Sequence, residues 1–173
     1  MKRSAEAVLT ALLLAHFAQA QPGSAAHEKD QLQYTRAHYT KYEFRIPMRD
    51  GTKLFTAVYA PKDLSQRYPI LLLRTPYSVA PYGTDNYPAK IGPSPAAEKE
   101  GFIFAYQDVR GRYMSEGTFI DVPPHRTSLQ GKQTDESTDT YDTVDWLIRN
   151  VPDNMAVWVC GASPIQASTQ PTG

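Results

Sequence analysis

Tyr42 to Pro47 alternates apolar and polar positions, Met48-Arg49-Asp50-Gly51 carries turn chemistry, and Leu54 to Tyr59 alternates again before Ala60-Pro61 closes the run. Period-two alternation on both sides of a glycine turn predicts an antiparallel hairpin. After the polar Lys62 to Arg67, Tyr68 to Leu73 is continuously apolar, the pattern of a strand buried on both faces of a parallel sheet. Gly83 to Pro95 is rich in proline and glycine and reads as loop. Ala96 to Glu100 predicts a turn or two of helix, and Phe102 to Tyr106 a second buried strand. Asp121 to Thr134 is polar loop. Ser137 to Asn150 predicts a helix, with Ser137, Thr138 and Asp139 as capping chemistry and Tyr141, Val144, Leu147 and Ile148 on one apolar face. Val151-Pro152-Asp153 breaks it, and Ala156 to Cys160 is strand-like. The order hairpin, strand, helix, strand, helix, strand gives an α/β fold class rather than a β-sandwich.

The amino end has a different pattern. Residues 1–20 read as a signal peptide: Lys2 and Arg3, an apolar run from Ala7 to Ala18, and Ala18-Gln19-Ala20 as a small-residue cleavage site. Export to the periplasm or medium is the localisation expected, with no membrane association after cleavage. Residues 21–41 are polar and are expected to form a flexible arm, with folded material starting near Tyr42. The chain of 173 residues has a formal net charge of zero and scattered basic residues, which leaves no electrostatic footprint for nucleic acid. Its one cysteine, Cys160, excludes an internal disulfide framework.

Two loops that follow buried strands are where an α/β sheet places chemistry. Leu73-Arg74-Thr75-Pro76-Tyr77 is the first. In α/β-hydrolases the loop after the third strand contributes to the oxyanion hole, so the Tyr77 hydroxyl is a candidate donor; a ring packed under the loop is the other reading. The second runs from Tyr106 to Gly117. There Asp108 reads either as a catalytic acid or as a carboxylate that pairs with Arg110 or caps the loop, the structural role being the expected one.

The tail, residues 155–173, reads best out of frame. Back-translated and regrouped from the third base of the Met155 codon, Met155 to Ser168 can spell GRVGVWGVSYPGF, a strand leading into GxSYxG, with two glycines forced by the code. GxSYxG is a variant of the nucleophile elbow GxSxG, in which a tight turn lifts a serine above the sheet. One base lost from an Asn-Asn-Gly coding stretch after Asp153 produces the encoded tail. As encoded, Gly161-Ala162-Ser163-Pro164-Ile165-Gln166 lacks the second glycine of the elbow. Pro164 also has no N–H to give an oxyanion, so Ser163 marks the nearest encoded position to a nucleophile and is expected to be inert.

MRDGTKLFTAVYAP, PILLLRTPY, FIFAYQDVRGRYMSEGTF and DESTDTYDTVDWLIRNVPDN together resemble the amino-terminal part of the CocE/NonD-type hydrolases. These are the X-prolyl dipeptidyl-peptidase-like α/β-hydrolases, which include cocaine esterase and the α-amino acid ester hydrolases. The resemblance implies a partial α/β-hydrolase domain over residues 42–154, truncated at its nucleophile strand. It implies a serine hydrolase acting through an acyl-enzyme on a small ester, amide or X-Pro peptide substrate, with Tyr77 donating its hydroxyl to the oxyanion and with no cofactor and no metal. It also implies a later acid and histidine, a helical cap and a β domain. In the triad order serine, acid, histidine the base follows the nucleophile, yet His16, His27, His38 and His125 all precede Ser163. His38 and His125 are expected to be solvated loop residues, and the encoded chain an inactive fragment. The competing expectation is an exported, non-enzymatic binding module that uses the aromatic loops Tyr77 to Tyr87 and Tyr113 to Phe119.

Overall fold

A computed structural model describes residues 23–120 and 133–159. The signal segment, His125, Cys160, Ser163 and the tail beyond Val159 lie outside the described residues. The elements are α1 (Gly23–His38), β1 (Tyr39–Pro47), β2 (Lys53–Pro61), β3 (Tyr68–Thr75), α2 (Pro95–Glu100), β4 (Ile103–Asp108), α3 (Glu136–Asn150) and β5 (Asn154–Val159). One five-stranded sheet has the order β1-β2-β4-β3-β5. β1 and β2 form the expected hairpin, β2 pairs antiparallel with β4, and β3 lies parallel to both β4 and β5. α2 is the crossover between the parallel neighbours β3 and β4, and α3 carries the chain from β4 past β3 to β5.

Strand alternation splits the core into two layers. Ile46, Leu54, Val58, Ile70, Leu72, Ile103 and Ala105 face α3 and its Leu147. Tyr39, Phe55, Ala57, Tyr59 and Phe104 face the other way, under Val79, Ile91 and the loop between β3 and α2. An apolar groove of about 270 Å³ between Phe44, Tyr68 and Val151 sits where β3 begins, the end of the sheet away from Tyr77.

Local chemistry fixes the helix ends. Ser94 accepts the Ala97 N–H at 3.2 Å, with Pro95 in the first turn and left-handed Gly101 (φ 86°) closing α2. α3 is capped by Asp135, two residues before the first of the expected ones: its carboxylate takes the Thr138 N–H while the Thr138 hydroxyl takes the Asp135 N–H. The expected apolar face of α3 is also corrected. Leu147 is buried and Val144 packs on the core, but Tyr141 and Ile148 face solvent at 66% and 49% exposure. The covering face is completed by Trp146, whose ring packs tilted against Phe44 with centroids 4.9 Å apart, and by the buried polar Asp139 and Thr143.

Residues 23–38 form a helix instead of the expected flexible arm, and β1 begins at Tyr39. The reason is polar docking. Glu98, itself 1% exposed, accepts Gln31 Nε2 at 2.7 Å and the Thr35 hydroxyl at 3.4 Å, and the Tyr39 hydroxyl donates to the Glu98 carbonyl. His38 closes this helix, stacked on Tyr34 at 4.1 Å, and is not a loop residue.

Candidate active site

β3 and β4 run side by side and stop together, Thr75 opposite Asp108, so the loops that follow them meet. Asp108 joins them. Its buried carboxylate accepts the Val79 N–H at 3.0 Å and the Tyr82 hydroxyl at 3.0 Å from the first loop, and the Met114 N–H at 3.3 Å from the second. Ser78 Oγ shares the Tyr82 hydroxyl at 2.9 Å. Burial pushes the Asp108 carboxyl above its ordinary value, against the three donors, which favour the charged form. Of the expected structural roles, loop capping is observed and pairing with Arg110 is not. Arg110 reaches instead to Asp139 (2.7 and 2.9 Å) and to Asp50 in the hairpin turn (2.7 Å).

The second loop folds back on itself at Gly111. Its N–H donates to the Glu116 carbonyl, its φ is 69°, and a Cβ there would stand 2.0 Å from the Phe119 nitrogen, so only glycine fits. Ser115 ties the fold-back to the sheet, donating to the Asp108 carbonyl at 2.6 Å and accepting the Phe55 N–H at 2.8 Å.

Tyr77 rides on the first loop with its backbone held: its N–H donates to Thr75 Oγ1 at 3.1 Å, and Arg112 Nε donates to the Pro76 carbonyl at 3.0 Å. The residue is 68% exposed, so its side chain is not packed under the loop. The next residue, Ser78, holds φ at 78°, a left-handed conformation costly for a side chain and seen where surrounding contacts over-determine the backbone. Tyr113 and Met114 are exposed on the adjoining loop, where the Arg112 guanidinium lies 5.2 Å from the Tyr113 ring. The result is an exposed phenol at the carboxyl end of β3, on a loop whose backbone is held at Pro76, Tyr77 and Val79.

Beneath the loops lies a buried polar cluster that periodicity alone did not reveal. Arg74 Nε donates to Gln107 Oε1 at 2.6 Å, and its Nη1 reaches Glu136 Oε2 at 2.6 Å and the Thr140 hydroxyl at 2.7 Å. Gln107 Nε2 in turn donates to Thr56 and Thr143. Arg74 Nη2 makes no hydrogen bond among the described residues, its carboxylate neighbour Asp139 standing 3.9 Å away. Lys41 was missed as well. Its one sequence signal is a position on β1 between Tyr39 and Glu43, on the face that packs inward.

The sheet order, with helices over both faces and loops converging where β3 and β4 end, is that of an α/β-hydrolase. The chain belongs to the X-Pro dipeptidyl-peptidase (S15) family, whose sequence model matches residues 50–169, a span that runs past β5 into the tail as encoded. It is 32% identical over 108 residues to cocaine esterase of Rhodococcus sp. (strain MB1 Bresler), an alignment covering 60% of this chain and 16% of that protein. Among solved structures it is similar to an aminopeptidase from a marine sediment archaeon, Thaumarchaeota archaeon, at 40% identity and a TM-score of 0.60. An α-amino acid ester hydrolase matches at 34% identity and a TM-score of 0.58. Each of these two matches covers 70% of this chain and 21% of the other.

Proposed function

We propose that this chain carries the amino-terminal part of an exported serine hydrolase that cleaves ester or amide bonds, acyl or X-Pro peptide, through an acyl-enzyme. In this reading Tyr77 is one oxyanion donor. The attacking serine stands after β5, where the shifted frame restores GxSYxG, and the N–H of the residue that follows it is the second donor. The observation that supports it most is the pairing of β3 with β5. Leu72 lies opposite Val159 in parallel, so the chain leaves β5 at the same end of the sheet from which the Tyr77 loop leaves β3.

The phenol matches the task. As the serine adds to a carbonyl, negative charge develops on the oxygen, and a donor already fixed in place stabilises that charge without reorganisation. Asp108, by holding Val79 and Tyr82, sets where the Tyr77 backbone stands and does not itself touch the reacting atoms. The encoded chain is proposed to be inactive, because Pro164 cannot supply the second donor and the elbow lacks its second glycine.

Nucleotide sequence across the Asp153 codon and downstream is the test. The reading expects one missing base there and a continuing frame that encodes an acid and a histidine. An intact frame with no hydrolase sequence downstream would overturn it and favour a binding module built on the exposed Tyr77, Tyr113 and Met114. The encoded chain itself should turn over short-chain nitrophenyl esters no faster than background.

A further inference from the structure

We propose that Lys41 is a positioning residue for the Tyr77 loop, its ammonium holding from the β1 side a segment that Asp108 holds from the β4 side. This rests on the reading of Tyr77 as an oxyanion donor. The Lys41 side chain has no solvent exposure. Its Nζ lies 2.5 Å from the Pro81 carbonyl, 2.9 Å from that of Gly83 and 3.0 Å from that of Asn86, with Glu43 Oε1 at 2.9 Å. Tyr59, its partner across the hairpin, puts its ring 5.7 Å from the same nitrogen. Glu43 also accepts the Gly83 N–H at 2.6 Å. An ammonium has three donors and no acceptor, and here four oxygens surround it, so the charge removed from water is fully compensated.

These carbonyls belong to a segment with no regular structure, running from Tyr77 to α2. Three of its carbonyls turn toward one point because a cation stands there; without it the Pro81 and Asn86 carbonyls would lose the ammonium they accept, and the Gly83 carbonyl and Glu43 would keep only the Asn86 and Gly83 N–H groups, a costly arrangement for buried acceptors. The loop would move to hydrate them. Counting along the chain, the fixed points are the Pro76 carbonyl, the Tyr77 N–H, the Val79 N–H, then the carbonyls of Pro81, Gly83 and Asn86. Tyr77 is thus held on its β4 side by Asp108 and prevented from swinging with its own loop by Lys41. A lysine serves where a methionine would not, since only the ammonium can bond several carbonyls that belong to no ladder.

The test places 3-fluorotyrosine at position 77 of the full chain and reads its fluorine resonance. The wild-type chain is expected to give one line, and Lys41→Ala to split, broaden or shift it. Millimolar n-propylammonium, which brings back an N–H donating cation, should restore the original line. Tetramethylammonium, charged but without N–H, should not. An unchanged line in Lys41→Ala, failure of propylammonium to restore it, or equal restoration by tetramethylammonium overturns the proposal. If Lys41→Ala does not fold, two other measurements decide. Lys41→Arg keeps the charge but replaces the compact ammonium with a planar fork, and is expected to shift the Tyr77 line. In the wild-type chain the Lys41 ammonium protons should exchange slowly and couple across hydrogen bonds to the Gly83 and Asn86 carbonyl carbons. An unshifted line in Lys41→Arg, or solvent-like ammonium exchange, contradicts the proposal. None of these readouts needs catalysis, so retention of rate by Tyr77→Phe would sink the oxyanion assignment and leave the anchoring role intact.

Discussion

The carboxylate of Asp108, the last residue of β4, accepts the backbone N–H of Val79 at 3.0 Å and so fixes a loop that belongs to β3. Two strands thereby share one rigid end. Asp108→Ala would remove the acceptor of the buried Val79 N–H and of the Met114 N–H, and one of the two partners of the Tyr82 hydroxyl. The expected loss of unfolding free energy is about 2–3 kcal/mol by urea titration. Asp108→Asn, which keeps one acceptor oxygen, should lose less. A change below about 0.5 kcal/mol for the alanine variant would show that the carboxylate is dispensable to the loop.

The cluster under the loops makes a second, independent prediction. Gln107 is fully buried and accepts Arg74 Nε while donating to Thr56 and Thr143. Gln107→Leu keeps the volume but leaves a guanidinium that already has one unbonded nitrogen with a second. We expect a loss of about 3 kcal/mol, well above a typical surface substitution. A melting temperature equal to the parent's would contradict the account of Arg74 as a buried charge that depends on its partners.

The hairpin turn should impose an acid limit on stability. Asp142 grips Arg49 through both carboxylate oxygens and also accepts the Arg49 N–H at 2.8 Å. Burial raises its carboxyl, but Arg49's side-chain and backbone donors outweigh that and hold it below the ordinary 3.8. Asp50 behaves likewise: burial raises it, and Arg110 and the Thr52 N–H bring it below 3.8. A depressed carboxylate contributes stability above its unfolded value and loses it as the pH falls through its folded one. Stability should therefore fall as the pH drops below about 3.8, and Asp142→Asn should flatten part of that decline at a cost near neutral pH on the order of 1 kcal/mol. Asp108, raised by burial, works in the opposite direction above 3.8, so its substitution should not flatten the acid arm. An acid arm identical in parent and Asp142→Asn would remove the pair from the account.

Much of the fold was legible because it rests on periodicity. The alternation around Met48 to Gly51 gave the hairpin, and the unbroken apolar runs beginning at Tyr68 and Phe102 gave the two central parallel strands. What was not legible is held by polar contacts between distant residues. The helix over residues 23–38 has no apolar stripe to betray it and docks on one buried carboxylate, Glu98, 63 residues from Thr35. Tyr141 and Ile148 have the spacing of a core face, yet the helix turns Asp139 and Thr143 inward because Arg110 and Gln107 await them. At the candidate site, the position of Tyr77 just after a buried strand was legible, while its role is a proposal. Lys41 was not, because a lysine on a strand ordinarily reads as solvated and only the three-dimensional gathering of carbonyls explains it.

The central claim is that the Tyr77 hydroxyl stabilises an oxyanion at the end of β3. Its most direct test is the kinetics of Tyr77→Phe in the enzyme proposed to be encoded once the base inferred to be missing is restored and the downstream sequence is included, assayed on a short-chain nitrophenyl ester. The account predicts a kcat lower by a factor on the order of a hundred with little change in KM, the signature of an interaction made in the transition state. A kcat equal to that of the parent would contradict it and move the oxyanion hole to other groups.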